Sequence, residues 1–232
     1  TWGEQRSTDD AEGDVIDTSD TLPAPEDIDA VLGGFMGNIE QVPPAFSAIK
    51  INGERAYDLA RAGENVEIKS RVVYVESLTK LSHDKTSARF SCLCGKGTYI
   101  RALARDMALK LGTVGYMSAL ERTSVGPFTT ENSISLEILE DLAHSAALTD
   151  ALLSVETALD DIPALALSEQ EANRLKNGQK LTFISRPDIA RLDTAGLTGQ
   201  EDQTALAVYK GKPLALVEIC GPEIQPVRVL NL

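Results

Sequence analysis

The sequence predicts an α+β chain: a mainly antiparallel, mixed sheet flanked by helices, followed by a small β-rich module at the C-terminus. Three observations predict it. Apolar residues recur at helical spacing near residues 28–35 and 99–111. Strand-like runs appear at 70–94 and again at 205–230, separated by short polar turns. Pro163 stands between a helical stretch and the second set of strands, where a boundary is expected.

In chain order, residues 1–24 read as a fragment of strand and an acidic loop, Ser7 to Asp20, ending at Pro23 and Pro25. Ile28, Val31, Leu32 and Phe35 then give a short helix one apolar face. Glu26, Asp27 and Asp29 in its first turn suit the positive end of the helix dipole. Pro43 and Pro44 break any helix that follows. A second short helix is expected over 54–62, stopped by Gly63. From Asn65 to Cys94 the pattern is β: Val72–Val75 and Leu78–Leu81 run out, and Ala88–Cys94 return after the turn His83–Ser87. Ile100, Leu103, Met107 and Leu111 place a helix over Tyr99–Leu111, closed by Gly112. Tyr116 to Phe128 reads as extended chain, and 131–163 as helical, with Leu136, Leu139 and Leu142 on one side. Beyond Pro163, Ser168-x-x-Glu171 is a capping box that opens a helix ending at Gly178. Strands are expected at Leu181–Ile184, Ala205–Tyr209, Leu214–Ile219 and Val227–Leu230, with Lys210-Gly211-Lys212 turning a hairpin.

The formal charge of −13 over 232 residues argues against a nucleic-acid partner until its distribution is read. Residues 1–40 carry 1 basic and 11 acidic side chains, and residues 131–232 carry 8 and 16. Residues 41–130 reverse the balance, with 13 basic and 8 acidic, the sign that a phosphate backbone attracts. Such a segment also reads as an ordinary solvated face. No apolar run is long enough to span a bilayer, and no signal-peptide pattern opens the chain. Thr1 in place of Met suggests a truncated or processed start. The three cysteines, Cys92, Cys94 and Cys220, lack a disulfide framework, and Cys92 and Cys94 read as two small core residues on one side of a strand. Neither His83 nor His144 has metal-ligand spacing to a Cys or a carboxylate cluster. The reading is therefore no metal and a cytoplasmic location; the chain is expected to act as a monomer, although nothing in the residues themselves sets its oligomeric state. No Gly-x-Ser-x-Gly, His-Glu-x-x-His or Walker-type run supports a common hydrolase.

Three segments point to a family. The first is Gln41-Val42-Pro43-Pro44-Ala45-Phe46-Ser47-Ala48-Ile49-Lys50, continuing through Asn52-Gly53-Glu54-Arg55-Ala56-Tyr57 and Ala60-Arg61-Ala62-Gly63. The second is Lys96-Gly97-Thr98-Tyr99-Ile100-Arg101-Ala102-Leu103-Ala104-Arg105-Asp106. The third is Leu120-Glu121-Arg122-Thr123-Ser124-Val125-Gly126-Pro127-Phe128. In order and spacing they resemble the bacterial TruB-type tRNA pseudouridine synthases, which isomerise the T-loop uridine-55 of tRNA. The match runs from Gly3 to about Gly178. Gly3–Gly13 is similar to a family segment ending Asp-x-x-Gly, with Arg6 where a threonine is usual.

The resemblance implies a pseudouridine synthase-like fold, with residues 1–163 as a catalytic domain lacking its N-terminal part. It implies that 164–232 is a small PUA-like RNA-binding module. It also implies a nucleophilic aspartate in a Gly-His-x-Gly-x-Leu-Asp-Pro motif upstream of Gly3, together with a second active-site tyrosine. Neither motif occurs in these 232 residues, so the chain is expected to be inactive alone. Arg101 corresponds to the family arginine that pairs with that aspartate, a role suited to a bidentate guanidinium. Tyr99 corresponds to the tyrosine that contacts the target base, and Leu120 to an apolar wall of the pocket. By pattern alone these three also read as a surface arginine, a core tyrosine and a core leucine. The Pro43–Arg71 stretch is similar to a mobile element that closes over the T-loop, and its Lys50, Arg55, Arg61, Lys69 and Arg71 are the expected phosphate contacts. The isomerisation is redox-neutral and implies no cofactor. The partner is tRNA through its T-arm. The competing reading is a tRNA-binding or tRNA-folding module without chemistry.

Overall fold

A computed structural model describes residues 1–51, 53–62, 68–143, 146–197 and 203–231. Gly63, Asn65 and His144 lie outside the described residues. The chain divides into two compact units, Thr1–Glu121 and Arg122–Leu232.

The first unit opens with β1 (Glu4–Arg6) and β2 (Val15–Thr18), an antiparallel hairpin. β2 is a correction to the expected acidic loop. All four of its residues are exposed, so no apolar alternation marks it in the sequence. Arg6 instead closes the hairpin loop: its Nη1 donates to the Gly13 carbonyl at 3.1 Å and its Nη2 to Glu4 at 2.7 Å. Its guanidinium also lies 4.7 Å from the centre of the Tyr116 ring. That packing accounts for an arginine where the family pattern has threonine.

Helix α1 (Pro25–Leu32) buries Ile28, while Val31, Leu32 and Phe35 pack partly buried, as the spacing predicts. β3 (Gly37–Gln41), β4 (Lys50–Ile51), β5 (Glu54–Arg55) and α2 (Ala56–Arg61) follow. The expected helix over 54–62 is thus shortened by a two-residue strand. β6 (Arg71–His83) and β7 (Ala88–Cys94) join β3 in an antiparallel sheet ordered β3-β6-β7. Helix α3 (Ile100–Lys110) buries Leu103, Met107 and Ala108 in one cluster with Trp2, Ile28, Val75 and Leu78. Gly112, at φ +72°, ends that helix, a conformation that carries no Cβ penalty in glycine.

In the second unit β8 (Ser124–Val125) and β9 (Phe128–Thr129) form a hairpin around Gly126. The helical stretch expected over 131–163 is α4 (Leu136–Ala143), a 3-10 segment Ala146–Ala151 and α5 (Val155–Ala158). Then come β10 (Ala164–Ala166), α6 (Glu169–Lys176), β11 (Leu181–Thr182), α7 (Arg186–Thr194), β12 (Gln203–Tyr209), β13 (Lys212–Cys220) and β14 (Glu223–Val229). The sheet order is β10-β12-β13-β14-β11, and only β10–β12 is parallel. Ser168 and Glu171 form the predicted capping box. Lys210 and Gly211 both take positive φ, as the hairpin turn requires. β10 and α7 are additions to the sequence reading. The expected strand Leu181–Ile184 is cut to two residues because Ser185 caps α7. Both units mix helices with antiparallel sheet, an α+β architecture.

Candidate functional site

The site is built on the first turns of α3. Tyr99 is the residue before its first turn and has extended backbone, with no side-chain cap. Gln41 takes that place. The Tyr99 N–H donates to Gln41 Oε1 at 2.8 Å, and Gln41 Nε2 donates back to the Tyr99 carbonyl at 3.1 Å. Gln41 is 1% exposed, so the end of β3 fixes the start of α3 through a fully paired amide.

Two arginines follow one turn apart, Arg101 and Arg105, on the same side of the helix. Arg101 Nη1 donates to Asp10 Oδ2 and to the Thr8 carbonyl, each at 3.0 Å. Its Nη2 donates to the Phe46 carbonyl at 2.9 Å. Arg105 Nη1 donates to Asp9 Oδ2, its Nε to Asp106 Oδ1 and its Nη2 to the Val42 carbonyl, each at 2.8 Å. Two guanidinium groups thus hold the Thr8–Asp10 loop and the Val42–Phe46 segment onto one helix. Arg101 was expected to meet a carboxylate upstream of the chain; the partner it has here is Asp10. Asp106 pairs with Arg105 and not with Arg101.

The Thr8–Asp10 loop is strained. Asp9 sits at φ +59°, a left-handed conformation that costs a residue with a Cβ roughly 1–2 kcal/mol. It is only 7% exposed, and burial lifts its carboxyl above the ordinary carboxylate range, with the Arg105 charge and hydrogen bond offsetting part of the rise. Gly13 closes the loop at very short range: a Cβ there would stand 2.5 Å from Thr8 Oγ1 and 2.6 Å from the Thr8 nitrogen. The Asp-x-x-Gly pattern therefore reflects a loop in which only glycine fits.

Arg71, at the start of β6, turns toward this region. Its guanidinium lies 5.0 Å from the centre of the Tyr99 ring, a cation–π distance, and Nη2 donates to the Gly97 carbonyl. Its Nε is buried without a partner among the described residues. Lys50, Arg55, Arg61 and Lys69 are exposed. The guanidinium groups of Arg55 and Arg61 lie 5.7 and 5.6 Å from the Tyr57 ring centre, and Arg55 also donates to the Tyr57 hydroxyl. Leu120 is 56% exposed and has no part in the hydrogen-bonded cluster. The structure thus joins Tyr99, Arg101 and Arg71 in one region and adds Gln41, Asp9, Asp10 and Arg105, which the sequence reading did not nominate. Among the described residues no group of three or more His, Cys, Asp or Glu could hold a metal ion. Cys92 and Cys94 pack against the core, where burial and then Cys94 push the Cys92 thiol up to about 12. No helix among the described residues is long and apolar enough to cross a membrane.

Solved structures define the class of fold. The chain is similar to a protein in the crystal structure of a Cbf5-Nop10-Gar1 complex, with a TM-score of 0.65 at 20% identity, over 91% of this chain and 63% of that one. A structure of an H/ACA RNP bound to a substrate RNA containing 2'-deoxyuridine matches with a TM-score of 0.62 at 18% identity, over 90% and 62%. At these identities the likeness is one of fold. Sequence comparison is more specific. Residues 1–100 match the TruB family pseudouridylate synthase (N terminal domain), and residues 101–160 match the tRNA pseudouridylate synthase B C-terminal domain. The chain is 48% identical to the tRNA pseudouridine synthase B of Rhodospirillum rubrum, covering all of this chain and 74% of the relative. It is 50% identical to that of Bradyrhizobium diazoefficiens, covering all of this chain and 66% of the relative. This chain belongs to the TruB family of tRNA pseudouridine synthases, which are isomerases.

Proposed function

We propose that this chain supplies the RNA-gripping and base-holding part of a synthase that converts the T-loop uridine-55 of tRNA to pseudouridine. The observation that carries the reading is the Arg101–Asp10 pair at 3.0 Å, two residues beyond Tyr99 and anchored to the Phe46 carbonyl. The reaction breaks a glycosidic C–N bond, turns the uracil and rejoins it through carbon. It needs a nucleophile, an extruded base and a site poor in water. Tyr99 offers a ring to stack on the base and a hydroxyl for proton transfer. Arg101 grips a carboxylate through a charge-assisted hydrogen bond. Leu120 supplies apolar contact. The nucleophile itself is, by family resemblance, an aspartate in a Gly-x-Leu-Asp-Pro run, and these 232 residues contain no such run. The chain by itself therefore binds tRNA without turnover. It acts as a monomer in the cytoplasm, and residues 164–232 serve as a small second RNA-binding module.

Lys50, Arg55, Arg61 and Lys69 take the phosphates of the T-arm, in keeping with their exposure. Arg71, half-buried over Tyr99, works at the base instead. Titrating a T-arm stem-loop RNA against the chain at increasing salt tests this. Each phosphate contact removed lowers the slope of log affinity against log salt by about 1. Lys50→Ala with Arg55→Ala is expected to weaken binding and flatten the slope. Binding unchanged at every salt concentration takes both residues out of the interface.

A further inference from the structure

We propose that Arg105 and Asp9 form a second arginine–aspartate pair that positions Arg101. The inference relies on the synthase reading only for its catalytic meaning; the geometry stands without it. Arg101 Nη1 has two acceptors, the Thr8 carbonyl and the Asp10 carboxylate. They come from the residues on either side of Asp9. The backbone at residue 9 therefore decides whether both acceptors converge on one nitrogen. That residue takes a left-handed conformation, φ +59°, uncommon for a residue with a Cβ although Asp and Asn adopt it more readily than most, and its contacts select it here.

Three contacts hold it. The Asp9 N–H donates to the Arg6 carbonyl at 3.0 Å, and the Asp9 carbonyl accepts from Met117 at 3.0 Å. The carboxylate accepts from Arg105 Nη1 at 2.8 Å. Arg105 is in turn locked by Asp106 on its Nε and by the Val42 carbonyl on its Nη2. The same two arginines bracket the Val42–Phe46 segment, whose Pro43 and Pro44 are fully buried. Arg105 thus links the start of the segment expected to close over RNA to the residue that aims Arg101. Its Nε and both Nη atoms donate to groups of this chain, which makes it a positioning residue.

The test uses the 232-residue chain labelled with 15N and requires no RNA, so its outcome is independent of whether the chain serves a synthase. A guanidinium pinned on both Nη atoms rotates slowly and gives separate Nη signals; a released one gives a single averaged signal. Arg105→Gln and Asp9→Ala are expected to lose the separate Arg101 signals. The Trp2 indole signal, from the core of the same unit, should stay in place. Arg105→Lys, which keeps a cation for Asp9, and Asp9→Asn, which keeps an acceptor in a residue type that tolerates left-handed backbone, are expected to retain them. A purely structural arginine would not give that split at constant Trp2 signal. Separate Arg101 signals persisting in both Arg105→Gln and Asp9→Ala overturn the proposal. If one of those two unfolds, separate Arg101 signals persisting in the other alone overturn the proposal.

Discussion

Both units of the molecule use arginine to grip carboxylates, with opposite electrostatic results. In the second unit Arg191 forms a fork with Glu171, Nη1 to Oε1 at 2.8 Å and Nη2 to Oε2 at 2.9 Å. Arg191 lies 4.6 Å from the Phe183 ring centre, and Glu171 also closes the capping box of α6. Burial pushes the Glu171 carboxyl up, but the hydrogen bonds from Arg191 and Ser168 outweigh it and hold it down at about 2. In the first unit Asp9 is buried, left-handed and held above its ordinary value despite Arg105. The Glu171 pair fastens two helices with every local preference satisfied. The Asp9–Asp10 pairs sit in a loop that carries desolvation and backbone strain. Strained, perturbed groups of that kind collect where chemistry is done.

The largest expected effect separates the two regions by stability. Arg101→Ala takes the guanidinium donor from Asp10 Oδ2 and from two carbonyls in a mostly buried place, and is expected to cost about 3 kcal/mol. Arg191→Ala removes a partly exposed pair and should cost about 1 kcal/mol. Denaturant unfolding followed by Trp2, the single tryptophan, reads the first. Amide exchange in β12–β14 reads the second. Equal losses would erase the distinction.

A smaller effect sharpens it through two glycines. Gly13→Ala drives a Cβ into the Thr8 backbone and is expected to cost about 2–3 kcal/mol by overpacking. Gly211→Ala meets nothing within 4 Å and pays only for its positive φ, about 1 kcal/mol. The reverse order in thermal unfolding would mean that the Ser7–Gly13 loop is not tight.

The smallest effect is one of sign with pH. Glu171 has a folded value below its unfolded one, so its contribution is present above about 4.5 and lost as pH falls toward about 2. Asp9 has a folded value above its unfolded one, so its contribution is complete below the unfolded value and lost as pH rises through the folded one. Glu171→Gln should therefore remove roughly 1–2 kcal/mol of second-unit stability at neutral pH, discounted for partial exposure, and flatten its acid loss. Asp9→Asn should flatten a slope of the opposite sign in the Trp2 signal. Slopes of the same sign in the two units would contradict the assignment.

Much of the fold was legible because its elements follow local rules. The apolar period of α3, the alternation in β6 and β7, the Ser168 capping box and the Lys210-Gly211 turn all survive in the structure. β2 escaped because its residues face solvent and show no period. α7 carries a usable signal, Ser185-x-x-Asp188 with Pro187, but the apolar run Leu181–Ile184 beside it points to a longer strand. The motifs around Tyr99 and Arg101 marked the site. The Arg101–Asp10 and Arg105–Asp9 pairs join residues more than 90 apart, and no spacing rule reaches that far. Arg71 reads as one more cation in a basic stretch; only the packed structure turns it over Tyr99.

The most direct measurement of the central claim is turnover. The purified 232-residue chain is incubated with a T-arm RNA, and the product is assayed with a chemical label that distinguishes carbon-linked from nitrogen-linked uridine. Salt-dependent binding with no pseudouridine is the expected result, because Arg101 and Tyr99 can hold a carboxylate and move a proton but cannot attack in place of the nucleophile. Adding a segment that carries the Gly-x-Leu-Asp-Pro motif should then give turnover if its strands pair with the chain. Pseudouridine made by the chain alone would contradict the account and place the nucleophile among its own carboxylates, with Asp10, the partner of Arg101, the first to replace.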